Sequence, residues 1–328
     1  MKKCIICKKT KNDNEFNKEH VIPEFIGGSL TINNVCETCN SKLGEEIDSK
    51  LLKDFLIRAE IVEKKITNKK NKQKVLFEKL TSNKNPQIKL NAKRGKNGEF
   101  DKFECNTSLK SSPQNKNMHT IHYDSNKDEK TVLKEIEKIF IQKYGITLTE
   151  EKKKEIMYKI NNEHSYPQIE FDFTSTIDFK KLSREFIKIA YETAYYILGE
   201  KYLEDVIGQD LRESLFNEGH ELIEKYAERG MQLMPQPKPK EIFNELTKIS
   251  DKNLIHFIEI SEVNNKLYVA INLFNIYKNC ICITETVDLY DFNDVIHFIL
   301  FYHENNEKTF IELNELDLAK MMGNIPQK

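Results

Sequence analysis

The sequence predicts an α+β protein: a small cysteine-pinned module at the N-terminus, followed by a mixed helical and antiparallel β region. Three observations carry this reading. Two Cys-x-x-Cys pairs, Cys4/Cys7 and Cys36/Cys39, fall within the first 40 residues. Leu182, Phe186, Ile189, Ala190 and Ala194 recur at helical spacing between a capping residue, Asp178, and a stop, Gly199. Residues 253–260, 266–276 and 279–286 are rich in β-formers, with Asn264-Asn265 at a hairpin turn.

Taken in order, residues 1–44 show turns and knuckles with little periodicity. Residues 45–60 read as one amphipathic helix with Ile47, Leu51, Leu52 and Phe55 on one side. In the stretch 64–130, rich in Lys, Asn and Ser, Val75-Leu76-Phe77 and Ile88-Lys89-Leu90 suggest short strands. A helix is expected over 131–143, ended by Gly145, and Thr147-Leu148-Thr149-Glu150 has the form of a capping box for the next. A further helix is expected over about 210–228, before Gly230 and the stiff Pro235–Pro239 segment. These elements suggest a module at 1–60, a basic connecting segment at 61–130 and an α+β domain at 131–328.

Composition excludes some classes. No apolar run approaches the roughly 18 residues of a membrane span, and Met1-Lys2-Lys3-Cys4-Ile5-Ile6-Cys7 is too short in apolar residues for a secretory leader, so a cytoplasmic location is expected. The net charge of −1 hides an asymmetry: residues 61–110 hold 14 Lys/Arg against 5 Asp/Glu. A polyanion could lie along such a segment, releasing counterions as its phosphates are neutralised. Lys93, Arg94 and Lys96 are candidate phosphate contacts.

Seven cysteines, four of them in two tight pairs, favour metal ligation over disulfides inside a cell. Cys4, Cys7, Cys36 and Cys39 can close a tetrahedral site around one Zn²⁺, a structural role that lets a module with little apolar mass fold. Between and after the knuckles come Glu19-His20-Val21-Ile22-Pro23, Gly27-Gly28, Asn33-Asn34 and Cys36-Glu37-Thr38-Cys39-Asn40. Hydrolysis of a phosphodiester needs an activated water and charge relief on the phosphate. A neutral imidazole can take the water's proton, and hard oxygen donors such as Glu19 and Asn40 suit Mg²⁺ or Mn²⁺.

Over residues 4–44 this order of motifs resembles the HNH endonuclease superfamily, in its zinc-knuckle ββα-metal form with an H-N-N site. The resemblance implies His20 as general base, Glu19 as the acidic ligand of a catalytic divalent metal, Asn40 as its second ligand, and Asn34 as the residue that holds the loop and orients the base. It implies double-stranded DNA as substrate, with 5′-phosphate and 3′-hydroxyl ends. Glu stands where Asp is common in the superfamily. Defence against, or restriction of, foreign DNA is the expected setting, and a homodimer would suit double-strand cutting. The competing reading is a non-catalytic zinc-knuckle module that binds nucleic acid or protein. The remaining histidines, including His119 and His122, and the paired Cys280 and Cys282 are read as ordinary structural residues.

Overall fold

The fold is that of a computed structural model, which describes all residues except 68–75, 87, 97–99, 112–118, 164, 166–169, 172–177, 217–224, 227–252, 293–295, 306 and 322–328. It falls into two compact units. One joins Met1–Asn71 to Ser175–Lys328, and the other is Lys72–Thr174, so the second interrupts the first in sequence. These limits differ from the boundaries drawn at 60 and 130 from sequence. Both helices and antiparallel sheets are present, as the sequence indicates.

The first unit begins with a two-residue pairing, β1 (Lys2–Lys3) with β2 (Thr10–Lys11), that closes the first knuckle. Strand β3 (Phe16–His20) then pairs antiparallel with β4 (Thr31–Cys36), and helix α1 (Glu37–Leu43) follows directly. The β3–β4 loop buries its own Val21, Ile22, Ile26 and Leu30 in the core. Where sequence suggested one helix over 45–60, the chain makes a wide turn at Gly44–Asp48 and a short helical stretch at Ser49–Leu51, then restarts as α2 (Phe55–Glu63). Asp54 causes the restart. Its carboxylate accepts the Ile57 N–H at 3.0 Å as an N-cap and also accepts the Tyr277 hydroxyl at 2.9 Å.

The Lys72–Thr174 unit holds a three-stranded antiparallel sheet, β5 (Lys79–Thr81), β6 (Lys89–Arg94) and β7 (Phe100–Cys105), and a hairpin of β8 (Ser108–Ser111) with β9 (His119–His122). Leu76 and Phe77 are not in a strand, and Val75 lies outside the described residues. Helices α3 (Glu129–Tyr144) and α4 (Glu150–Asn162) are capped by Asp128 and Thr149, and Gly145 ends α3 in the left-handed conformation. Leu109, Val132, Ile136, Leu148, Ile156 and Ile160 form this unit's own small core.

The first unit resumes with α5 (Phe179–Leu198), capped by Asp178 as its sequence predicts, and α6 (Val206–Ser214), capped by Asp205. A five-stranded antiparallel sheet follows: β10 (Leu254–Val263), β11 (Lys266–Leu273), β12 (Tyr277–Thr284), β13 (Ile296–Glu304) and β14 (Glu307–Asn314), in the order β12-β11-β10-β13-β14. Asn264 and Asn265 both take positive φ, as a two-residue hairpin turn between right-twisted strands requires. Alternation gives the sheet two apolar faces. Ile258, Ile260, Ile299 and Phe301 join the core that contains α5, while Phe257, Phe298, Leu300 and Tyr302 face the other way. A short helix, α7 (Glu315–Met321), follows β14. The helix expected over about 210–228 instead begins at Val206 and ends at Ser214, with Leu215 and Phe216 in a turn; the Pro235–Pro239 segment lies outside the described residues.

One core runs through the first unit, joining the N-terminal module to α5, α6 and the sheet. Side chains from residues 188–308 also take up main-chain carbonyls of that module. Tyr191 donates to the Ile5 carbonyl at 2.6 Å, His256 Nε2 to Ile26 at 2.9 Å and Lys308 to Glu24 at 2.9 Å.

Candidate functional site

The two knuckles converge. The sulfurs of Cys4, Cys7, Cys36 and Cys39 all lie within 4.8 Å of one another, and the Cys7 and Cys36 sulfurs are 4.0 Å apart. Tetrahedral Zn²⁺ with Zn–S bonds of about 2.3 Å requires sulfurs about 3.8 Å apart, so the four thiols fit a structural zinc. The surrounding backbone is shaped for it: the Cys36 N–H donates to Cys4 Sγ at 3.3 Å, and Lys8 just past the first knuckle adopts positive φ. Burial pushes the Cys4 and Cys39 thiols up. At Cys36 burial acts the same way but is outweighed by hydrogen bonds from Cys39, Cys4 and Lys11, and the thiol is lowered to about 7. The Ile5 N–H donates to the Asn34 carbonyl at 2.9 Å, which ties the first knuckle to β4.

Between the knuckles, the β3–β4 ladder carries a bulge. Asn17 pairs with Val35 and Glu19 with Ile32, so Asn33 and Asn34 together face Lys18. From α1, Asn40 closes onto this irregularity. Its Nδ2 donates to Asn17 Oδ1 at 2.8 Å and to the Lys18 carbonyl at 3.0 Å. His20, half-buried, ends the same strand. Gly27 and Gly28 have steric reasons to be glycine. Gly27 has φ +108°, and a Cβ on Gly28 would sit 1.7 Å from the Ile22 carbonyl oxygen.

The Glu19 side chain is turned to the opposite face of β3 from its neighbour His20. Successive strand residues point to opposite faces, and the Glu19 carboxylate points inward, 3 % exposed. There Lys188 Nζ of α5 lies 2.7 Å from Glu19 Oε1, 3.4 Å from Asp48 Oδ1 and 3.5 Å from Glu192 Oε2. Lys188 also donates to the His20 carbonyl at 2.7 Å. Burial raises the Glu19 carboxyl, and the neighbouring ammonium opposes that rise. Glu185 and Glu192, fully buried on the same helix, are pushed well above the usual carboxylate range, chiefly by burial. Burial works against the Lys188 charge, yet the surrounding carboxylates hold its pKa well above the ordinary lysine value. The Glu19 carboxylate, expected to ligate a divalent metal, is instead engaged with Lys188 on the inner face of the strand.

The apolar spacing that marks α5 in the sequence does not single out this group. The signal was present: Glu185, Lys188 and Glu192 recur at the same helical period as the apolar residues around them. The candidate phosphate contacts lie in the other unit, Lys93 3.4 Å from Glu104 and Arg94 2.7 Å from Glu78, with Lys96 just past β6. Cys280 and Cys282 are half-buried, and burial pushes both thiols up to about 11, in keeping with unreactive structural residues. No helix among the described residues is long and apolar enough to cross a membrane.

Comparison with known proteins agrees with the motif order. Residues 4–56 match the HNH endonuclease family. No curated protein matches the chain, and no solved structure does.

Proposed function

Starting from an N-terminal module that matches the HNH endonuclease family, we propose that the chain hydrolyses phosphodiester bonds of double-stranded DNA, with His20 as general base. One observation supports the proposal: His20 and Asn40 belong to the same small hairpin-and-helix scaffold, whose four knuckle cysteines converge as a zinc site requires. The His20 imidazole takes a proton from the attacking water, and the 3′ oxygen departs to leave a 5′-phosphate. Asn34 steadies the bulged strand through its main-chain bond to the first knuckle. Catalysis would need Mg²⁺ or Mn²⁺, which relieves charge on the phosphate, and the Asn40 amide oxygen is a protein ligand in this reading. Lys93 and Arg94 would contact the DNA backbone by exchanging their carboxylate partners Glu104 and Glu78 for phosphates, and Lys96 would add a third phosphate contact. The setting we favour is restriction of foreign DNA by a cytoplasmic protein, as a homodimer where both strands are cut.

The inward turn of Glu19 favours one second reading, a zinc-knuckle module that binds nucleic acid without cutting it. Plasmid incubated with Mg²⁺ or Mn²⁺ separates the two. Wild type should nick it, and His20→Ala should be slower by roughly 10²- to 10⁴-fold, the usual contribution of a general base. Equal nicking by both proteins, or none by either, removes the nuclease reading. Labelled DNA and RNA in parallel identify the substrate.

A further inference from the structure

Lys188 is an unusual residue for the centre of a helix. It is fully buried, in a position flanked by Ile187 and Ile189, where an apolar side chain would pack without the cost of desolvating a charge. Its two shortest contacts, both 2.7 Å, go to consecutive residues of β3: the Glu19 carboxylate and the His20 carbonyl. The Val21 carbonyl lies at 3.5 Å. The ammonium thus grips β3 from its inner face at the residue whose imidazole leaves from the opposite face. Asp48 and Glu192 fix the ammonium from behind. Lys308 makes a comparable bond to the module, but to Glu24, in the loop beyond Pro23.

We propose that Lys188 is a positioning residue. Bound to Glu19 and to the His20 carbonyl, it fixes the backbone from which the His20 imidazole acts, and Glu19 serves this clamp instead of ligating the divalent metal. The inference rests on the nuclease reading for its kinetic consequences, but the geometry of the clamp can be tested without them.

The test uses the full-length, zinc-loaded chain in four variants: Lys188→Met, Lys188→Arg, Glu19→Gln and, as a control for simple docking, Lys308→Met. The His20 Cε1–H resonance should move in Lys188→Met and Glu19→Gln and stay in place in Lys308→Met. Lys188→Met leaves Glu19 buried without its partner, so it is the variant most at risk of misfolding. Glu19→Gln keeps Lys188 beside Asp48 and Glu192 and reads the same clamp. Mn²⁺ affinity, followed by water-proton relaxation, should stay within about twofold of wild type in Glu19→Gln, whereas loss of a true ligand would weaken it by tenfold or more. In cleavage assays Lys188→Met should lower kcat by about 100-fold at unchanged KM, the scale of a small misplacement of a reacting group. Lys188→Arg should recover part of that loss, and Lys308→Met should keep kcat. A folded Glu19→Gln with an unmoved His20 resonance, or with tenfold weaker Mn²⁺ binding, overturns the proposal. Absence of any cleavage by wild type sinks the nuclease reading alone, and the resonance comparison still decides the clamp.

Discussion

At Gly28 the space available for a side chain is set by the chain's own backbone: an added methyl carbon would fall inside the Ile22 carbonyl group. Gly28→Ala must therefore displace the loop from which β3 and β4 diverge. It is expected to lose several kcal/mol of stability, measured by urea unfolding, in line with other strain at over-determined backbone sites. His256 gives a prediction of a different kind. Its ring is fully buried, accepts the Phe274 N–H at 3.2 Å on Nδ1 and donates from Nε2 to Ile26. Burial lowers its pKa to about 4, and the bond to Ile26 offsets only part of the fall. The unfolded chain takes up this proton near pH 6.5 and the folded chain only near pH 4. The contribution is thus fully present above pH 6.5 and is lost as pH falls toward 4, about 3 kcal/mol in all. Denaturant titrations at pH 7.5 and 4.5 should show this fall in wild type and a smaller one in His256→Gln. Gly27-Gly28 was legible in the sequence because its reason is local. His256 was not, because its partners lie at positions 26 and 274.

A zinc ion held by the four converging cysteines would act on the elements β1 to α1, tying the two knuckles together. Cys36→Ser, or a strong chelator, should melt this region, whereas His20→Ala should leave it folded. Thermal melts with and without chelator check the distinction; an equal loss in Cys36→Ser and His20→Ala would contradict it. Several element boundaries are legible where a side chain states them locally: Asp178 and Gly199 around α5, Gly145 after α3, and Asn264-Asn265 between β10 and β11; the capping box read from Thr147 is instead a cap by Thr149, two residues on. The break inside residues 45–60 was missed because apolar spacing continues across it, and only the dual engagement of Asp54 with Ile57 and Tyr277 decides against a continuous helix. Strands β13 and β14 were passed over although Ile296-His297-Phe298-Ile299-Leu300-Phe301 is rich in β-formers. Buried on both faces, such a run shows no alternation to mark it as a strand.

At the scale of the molecule, the candidate site belongs to a body that the chain builds in two visits. Ile5, Ile22, Ile26, Leu43 and Ile47 share one core with Phe186, Ile189, Tyr191 and the five-stranded sheet. A fragment ending at Thr67 would expose that surface and leave the carbonyls of Ile5, His20 and Ile26 without their partners. Even with zinc, it is expected to lack the dispersed NMR spectrum of an ordered domain; a well-dispersed spectrum would show that the module stands alone. None of this was legible from the motif, since a pattern of 41 residues contains nothing about a helix far downstream. Residues 20 and 188 are 168 positions apart. At about 5–20 residues per second, a ribosome releases the histidine strand roughly ten to thirty seconds before the lysine that grips it. Nascent and prematurely terminated chains thus carry the motif for that interval without its brace.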